Sequence, residues 1–260
     1  MPAVQAVLVL FAGTNGRPLV VMDGTEITYW RTAADSALGA KLLASAEPAT
    51  LLVVGAGEMS MRLVHAHRAV RPSLERVLVW NRTLERAVHV AAQLTREGLA
   101  AEAVEELAAA TRIADIISCC TRSHDPLVRG ADLKPGVHLD LVGGHKPDTR
   151  EADDEAARRA RVFVDRRESA FHGVGDILQP IASGAIRESD VLGDLYDLAG
   201  GRVEGRIRRR HHILQERWRR SPGLDDGRTG LPAALNLASS VRWSTWNGEL
   251  CLHPSVSGDR

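Results

Sequence analysis

The sequence is short of the features that mark several protein classes. It has three cysteines in 260 residues, two of them adjacent (Cys119, Cys120). Such a set makes no disulfide framework and points to a reducing, cytoplasmic compartment. No apolar run approaches the roughly 20 residues that span a bilayer as a helix, so no membrane segment is expected. The first eleven residues lack a basic n-region and a cleavage site, and no signal peptide is read. No metal-ligand spacing is read either. Net charge is lacking too, with 33 basic residues against 33 acidic. That excludes a nucleic-acid binder working through bulk charge.

Lysine is scarce: only Lys41, Lys134 and Lys146 among the 33 basic residues. Arginine and alanine fill the chain instead, as a GC-rich gene would give. The remaining composition, 44% apolar and 25% charged, is ordinary for a globular protein. It excludes wholesale disorder and a fibrous protein, and the length allows one large domain or two small ones. The charges are unevenly placed. Residues 1–205 carry 23 basic and 28 acidic residues, a net of −5, and residues 206–260 carry 10 and 5, a net of +5.

Two short apolar runs, residues 6–11 and 19–22, flank Asn15-Gly16, which is a hairpin signal. Residues 25–45 have helical spacing with an alanine face at Ala33, Ala34, Ala37 and Ala40. From Thr50 strands and helices alternate. Strands are expected at 51–54, 76–80, 101–104, 113–119, 137–142 and 162–165, with helices at 58–70, 84–96 and 151–160. That alternation predicts right-handed βαβ units and a Rossmann-type, doubly wound parallel sheet of the α/β class. Strands apolar at every position fit a sheet covered on both faces. After Arg206 the pattern has no clean period, and residues 245–260 read as coil.

The turn Gly55-Ala56-Gly57-Glu58-Met59-Ser60 follows the first strand of this series and opens a helix, the context a dinucleotide-binding turn requires. Gly55 permits the tight turn and Gly57 lets the backbone approach a pyrophosphate. The helix N-terminus offers N–H groups and partial positive charge. Ser60 is small enough for the third glycine position. Glu58 puts a negative charge near the anion. At the end of the next strand, an NAD site usually carries an acidic residue for the ribose 2′-hydroxyl. Here Trp80-Asn81-Arg82-Thr83 stands instead. Arg82 can pair a 2′-phosphate and Thr83 can add a donor, so NADP(H) is expected over NAD(H). Arg82 also reads as a solvated loop arginine.

On these and further segments the chain resembles the ornithine cyclodeaminase/mu-crystallin family. The matching residues are Asp23-Gly24-Thr25 through Arg31-Thr32-Ala33-Ala34, Val54-Gly55-Ala56-Gly57, Ser118-Cys119-Cys120-Thr121 and Asp140-Leu141-Val142-Gly143-Gly144 through Arg150-Glu151. Gly175-Asp176-Ile177-Leu178-Gln179-Pro180-Ile181 completes them. The resemblance implies a Rossmann domain at 48–205, with residues 1–47 a remnant of an α+β substrate and dimerisation domain that makes a homodimer. It implies that Arg31 grips the substrate carboxylate, though by its own context Arg31 reads as a surface residue. It also places Thr121, Val142 and Gly143 beside the nicotinamide. Cys119 and Cys120 read as strand-end packing residues.

Position 145 separates the branches of that family. The ornithine-cyclising branch has an aspartate there, and this chain has His145, which either exchanges protons near neutral pH or sits as a loop residue at the cleft's rim. The resemblance thus implies NADPH-dependent reduction of a cyclic ketimine, pyrroline-2-carboxylate or piperideine-2-carboxylate. Ornithine cyclodeamination to proline and ammonia is a second reading, and an NADP-binding fold without catalysis a third.

The resemblance begins at Pro2-Ala3-Val4-Gln5, within the family's substrate domain. The upstream part, with a second carboxylate-binding arginine and a catalytic lysine, has no counterpart, and truncation is expected. Reverse-translating residues 207–230 and stepping one base forward permits SADDITFFKNGGGGHLDLMTAGLA, which resembles the family's return segment. Residues from 207 on, the atypical 206–260 tail, are therefore expected to be out of frame. Read at face value, Arg208-Arg209-Arg210 with Trp218 would be an RNA-binding arm; the frame change accounts for the same residues.

Overall fold

The computed structural model describes residues 5–207, 211–215, 241–246 and 249–254. The chain divides into two compact units, residues 1–218 and 219–260. In the first, β1 (Val7–Phe11) and β2 (Pro18–Asp23) pair antiparallel around Gly16, whose φ of +69° fits the Asn-Gly turn. Asp23 then caps α1 (Gly24–Leu43), its carboxylate accepting the Thr25 N–H at 2.7 Å.

There follow β3 (Thr50–Val54), α2 (Glu58–Val70), β4 (Arg76–Trp80), α3 (Leu84–Arg96), β5 (Ala100–Val104), α4 (Leu107–Ile113) and β6 (Ile116–Cys119). The series continues with β7 (His138–Leu141), α5 (Asp154–Arg159), β8 (Ala160–Val164), α6 (Arg167–Ala170), α7 (Gly175–Ala182), β9 (Val191–Asp194), α8 (Leu195–Ala199) and β10 (His211–Gln215). Strands β3 to β10 form one eight-stranded sheet in the order β5-β4-β3-β6-β7-β10-β8-β9. Every pairing in it is parallel. The order reverses between β3 and β6, which opens a crevice at the C-terminal ends of those strands.

Side chains alternate across this sheet. Leu52, Val54, Leu78, Ile117 and Leu139 enter one apolar cluster, and Leu51, Val53, Val77, Val79 and Ile116 the other. Helices cover both faces. In α3 the buried residues Ala87, Val90, Ala91 and Leu94 follow helical spacing. The alanines of α1 leave room for close packing: Ala33 and Ala37 meet Leu63 and Ala66 of α2. The core also holds a polar knot. Asp140 accepts the Ser118 hydroxyl at 2.6 Å and lies 3.4 Å from His67 Nε2, with Asp140 and His67 wholly buried.

The sheet matches the expected α/β class, and α2, β4 and α3 have the expected bounds. Other elements differ. Residues 113–115 are not strand: Ile113 closes α4, and Asp115 instead accepts the Ala49 and Thr50 N–H groups at 2.8 and 2.9 Å. The helix expected over 151–160 is shorter, since Asp153 caps α5 by accepting from Ala156 N–H. Within the segment after Arg206, His211–Gln215 is a strand wedged between β7 and β8.

In the second unit, β11 (Val241–Trp246) and β12 (Glu249–Pro254) pair antiparallel, so the coil expected from residue 245 is corrected there. The flanking runs surround Asn247-Gly248, the same hairpin signal as Asn15-Gly16. Trp218 and Arg208 to Arg210 lie outside the described residues. Among the described residues, no helix is long and apolar enough to cross a membrane.

Candidate functional site

The crevice begins with the turn after β3. Gly55 has φ +118°, donates its N–H to the Trp80 carbonyl at 2.8 Å, and would place a Cβ 3.1 Å from the Cys120 carbonyl oxygen. Only glycine meets both demands. Gly57 is the N-cap of α2, contributes no capping side chain, and faces open space where a Cβ would be. That leaves the first-turn amides and the helix dipole for an anion. The charge of Glu58 is countered: its carboxylate lies 3.6 Å from Arg62, which also donates to the Glu58 carbonyl at 2.5 Å. Arg62 stacks over the Tyr29 ring at 4.7 Å.

Asn81 ties this turn to the end of β4. Its Oδ1 accepts the Ala56 N–H at 3.3 Å and its Nδ2 donates to the Thr83 carbonyl at 2.9 Å. Arg82 and Thr83 are exposed beside it.

The ends of β6 and β7 form the other wall. Gly143 touches the Thr121 carbonyl so closely that a Cβ would come within 1.7 Å of its oxygen. His145 Nδ1 lies 2.8 Å from the Gly143 carbonyl, and burial pushes the imidazole below its ordinary pKa. The ring is therefore neutral near pH 7, with Nδ1–H donating to that carbonyl. Cys119 is buried and Cys120 half-buried; burial raises both thiols, which keeps them protonated and fits packing residues rather than redox centres.

Behind these loops lies a buried carboxylate pair. Glu151 accepts from Thr121 and Gly143, and Asp176 accepts from the backbone of Glu151 and Ala152. Burial first, and then the Asp176 charge, pushes Glu151 up, while the Thr121 and Gly143 N–H groups that face its two oxygens pull the other way and hold both oxygens as acceptors. Burial raises Asp176 to about 6.

A cleft of about 1110 Å³ joins the two walls and is lined by Ala56, Gly57, Glu58, Met59, Thr121, Val142, Gly143 and His145, all expected from the sequence. Gly55 shapes its turn without lining it. Arg31, Asn81, Arg82 and Thr83 are not among the lining residues. Arg31 lies on α1, 3.3 Å from Asp35. Tyr29, Arg62, Glu85, Arg86 and His89 line the cleft and were not anticipated. Arg62 had one available signal, its i,i+4 spacing from Glu58. Glu151 and Asp176 stood inside matched motifs without assigned roles. The open helix N-terminus at Gly57 and a cleft lined both by that turn and by the Thr121 and Gly143 loops fit a dinucleotide. Among the described residues, no group of three or more His, Cys, Asp or Glu is placed to hold a metal ion.

The profile of the ornithine cyclodeaminase/mu-crystallin family matches residues 1–216. The chain belongs to that family. It is 45% identical over 200 residues to a Delta(1)-pyrroline-2-carboxylate reductase of Paracoccus denitrificans, covering 76% of this chain and 63% of that protein. It is 37% identical over 204 residues to the ketimine reductase mu-crystallin of Mus musculus, covering 77% and 61%. A solved structure of the Delta(1)-pyrroline-2-carboxylate reductase of Thermococcus litoralis, in complex with NADH and L-proline, superposes with TM-score 0.80. It is 30% identical and covers 84% of this chain and 68% of that one. The chain thus spans less than two thirds of the length of the first two relatives.

Proposed function

We propose that this family member reduces a cyclic ketimine, pyrroline-2-carboxylate or piperideine-2-carboxylate, to the cyclic amino acid with NADPH. One observation carries the reading. A helix N-terminus open to a phosphate and two close-packed strand-end loops face one cleft, in a chain similar to reductases of this substrate class.

Bound NADPH supplies the hydride. The backbone of Gly55 to Met59 holds its pyrophosphate, braced by Asn81. Arg82 and Thr83 are exposed where a 2′-phosphate would need them, which supports NADP(H) over NAD(H). Thr121, Val142 and Gly143 seat the nicotinamide. Neutral His145 accepts the N–H of the protonated imine and orients it. Arg31 grips the substrate carboxylate after giving up Asp35. The exposed apolar residues of β1 and β2, Val7, Phe11 and Val21 among them, support a homodimer through this hairpin. Residues 1–47, 48–205 and 206–260 remain the proposed divisions, with β10 lending one strand across the last boundary.

The test is direct. The protein is incubated with NADPH and pyrroline-2-carboxylate, and separately with ornithine. Loss of NADPH absorbance supports the reductase. Ammonia release from ornithine would make it a cyclodeaminase. Cofactor binding without either turnover would make it a binding fold alone.

A further inference from the structure

Three donors converge on one buried carboxylate. Glu151 Oε1 accepts the Thr121 N–H at 2.6 Å and the Thr121 hydroxyl at 2.7 Å, and Oε2 accepts the Gly143 N–H at 2.6 Å. Thr121 follows β6 and Gly143 follows β7, so one side chain ties the ends of two adjacent strands. Glu151 is wholly buried. It comes from neither strand, but from the segment that leads into α5.

Glu151 is itself held. Asp176, in the first turn of α7, accepts the Glu151 and Ala152 N–H groups on Oδ1 at 2.8 and 3.1 Å. Its other oxygen is buried with no hydrogen-bond partner among the described residues, and a Cβ on Gly144 would come within 1.8 Å of it. Asp176 thus presses on the loop one residue beyond Gly143. A wholly buried carboxylate is costly, and an apolar side chain would fill the space at less cost. What the carboxylate alone supplies is fixed directions for three donors on two loops.

We propose that Glu151 is a positioning residue of the site: it sets the relative height of the Thr121 and Gly143 loops, and Asp176 locks it in place. The role is distinct from catalysis, since Glu151 does not line the cleft. The proposal deepens the reductase reading and rests on it in its cofactor and kinetic arms, while the exchange arm stands apart from it.

Glu151→Gln keeps the volume and replaces one acceptor oxygen with an amide donor, which must face an N–H. Hydrogen exchange of the protein alone is read first, without cofactor or substrate. Segments 119–124 and 141–145 are expected to exchange faster in the variant, while the β3 and β4 segments keep their protection. Titration with NADPH alone is read second. Affinity, set chiefly by the phosphates, should stay within about 3-fold, while the emission of the bound nicotinamide changes. In the kinetic arm kcat falls about 10- to 100-fold with KM nearly unchanged.

Unaltered exchange at both loops overturns the proposal, and so does unaltered nicotinamide emission in a variant whose wild-type parent binds NADPH. So does a loss of protection spread evenly over the sheet, which is what a merely structural residue would give. If Glu151→Gln does not fold, Asp176→Ala removes the Oδ1 acceptor of the Glu151 and Ala152 N–H groups and should show the same local exchange in weaker form; wild-type exchange there would overturn the idea. A wild-type chain without turnover would defeat the reductase reading and leave the exchange result standing on its own.

Discussion

His138 on β7 and His212 on β10 are register partners in adjacent parallel strands, and both rings are buried, at 0% and 1% exposure. Neither nitrogen of His138 has a hydrogen-bond partner among the described residues, and His212 uses only Nε2, which accepts the Ile207 N–H at 3.1 Å. Burial holds His138 down to about 3 against the opposing pull of the Asp140 charge, and holds His212 to about 4 with the Arg161 charge adding to the effect. Both rings are therefore neutral in the folded chain.

Acid sensitivity follows from the sign of those shifts. The unfolded chain binds protons at these histidines below their ordinary 6.5, and the folded chain does not until much lower. Stability is thus complete above pH 6.5 and is lost as the pH falls toward the folded values. Each ring contributes a loss of about 2 kcal/mol by about pH 5. Thermal melts across this range should show a steep fall in Tm. His138→Leu should flatten it and raise Tm near neutrality by about 2–4 °C, since an unsatisfied buried polar group costs about 1 kcal/mol or more. A wild-type Tm independent of pH above about 5 would refute this.

The same strand bears on the reading frame. β10 puts His211, His212 and Gln215 at buried positions of a central parallel strand, where apolar or β-branched residues are the rule. The shifted frame places isoleucine at 211, threonine at 212 and phenylalanine at 213 and 214. We expect resequencing to show a one-base insertion or deletion near codon 207 relative to close relatives. Restoring the frame should raise Tm; a uniform frame would sink the idea.

Much of this architecture was legible because its signals are local. The continuous apolar run of β3 and the glycines at 55 and 57 name a strand, a turn and a helix without tertiary context. The Asn-Gly pair marks the first hairpin; the same pair at 247–248 carries the same signal inside a stretch that otherwise reads as coil. β10 could not be read, since its histidines carry no strand signal and only pairing between β7 and β8 makes it one. The Glu151 and Asp176 pair was also illegible as a unit. Its partners, Thr121 and Gly143, lie 30 and 8 residues away, and no periodicity encodes such convergence.

Cofactor choice should turn on Arg82. It is exposed just after β4, where positions 80–84 carry no acidic residue to hold a ribose hydroxyl. A charge-assisted contact to a 2′-phosphate contributes about 1.5–3 kcal/mol, or roughly 10- to 100-fold in affinity. Arg82→Asp should lower the NADPH preference over NADH by that factor, measured from the two dissociation constants. An unchanged ratio would show that Arg82 is a solvated loop residue.

Arg62 should matter through the charge it neutralises. It bonds Glu26 through Nη2 at 2.5 Å and Nε at 3.3 Å, linking the first turn of α1 to the second turn of α2. It also lies against the Glu58 carboxylate, which sits at the anion-binding helix end. Arg62→Leu removes both partners. The Glu26 pair is half-exposed, so the direct stability cost is small, about 0.5–1 kcal/mol. The larger effect is an uncompensated Glu58 charge beside the phosphates, of about 1 kcal/mol across solvent. NADPH affinity should therefore fall about 3- to 10-fold. The double variant Arg62→Leu with Glu58→Gln separates the two effects. If repulsion is the cause, the second substitution restores affinity without restoring Tm. If the variant weakens binding by loosening α1 against α2, Glu58→Gln restores nothing, and isothermal titration beside thermal melts decides between them.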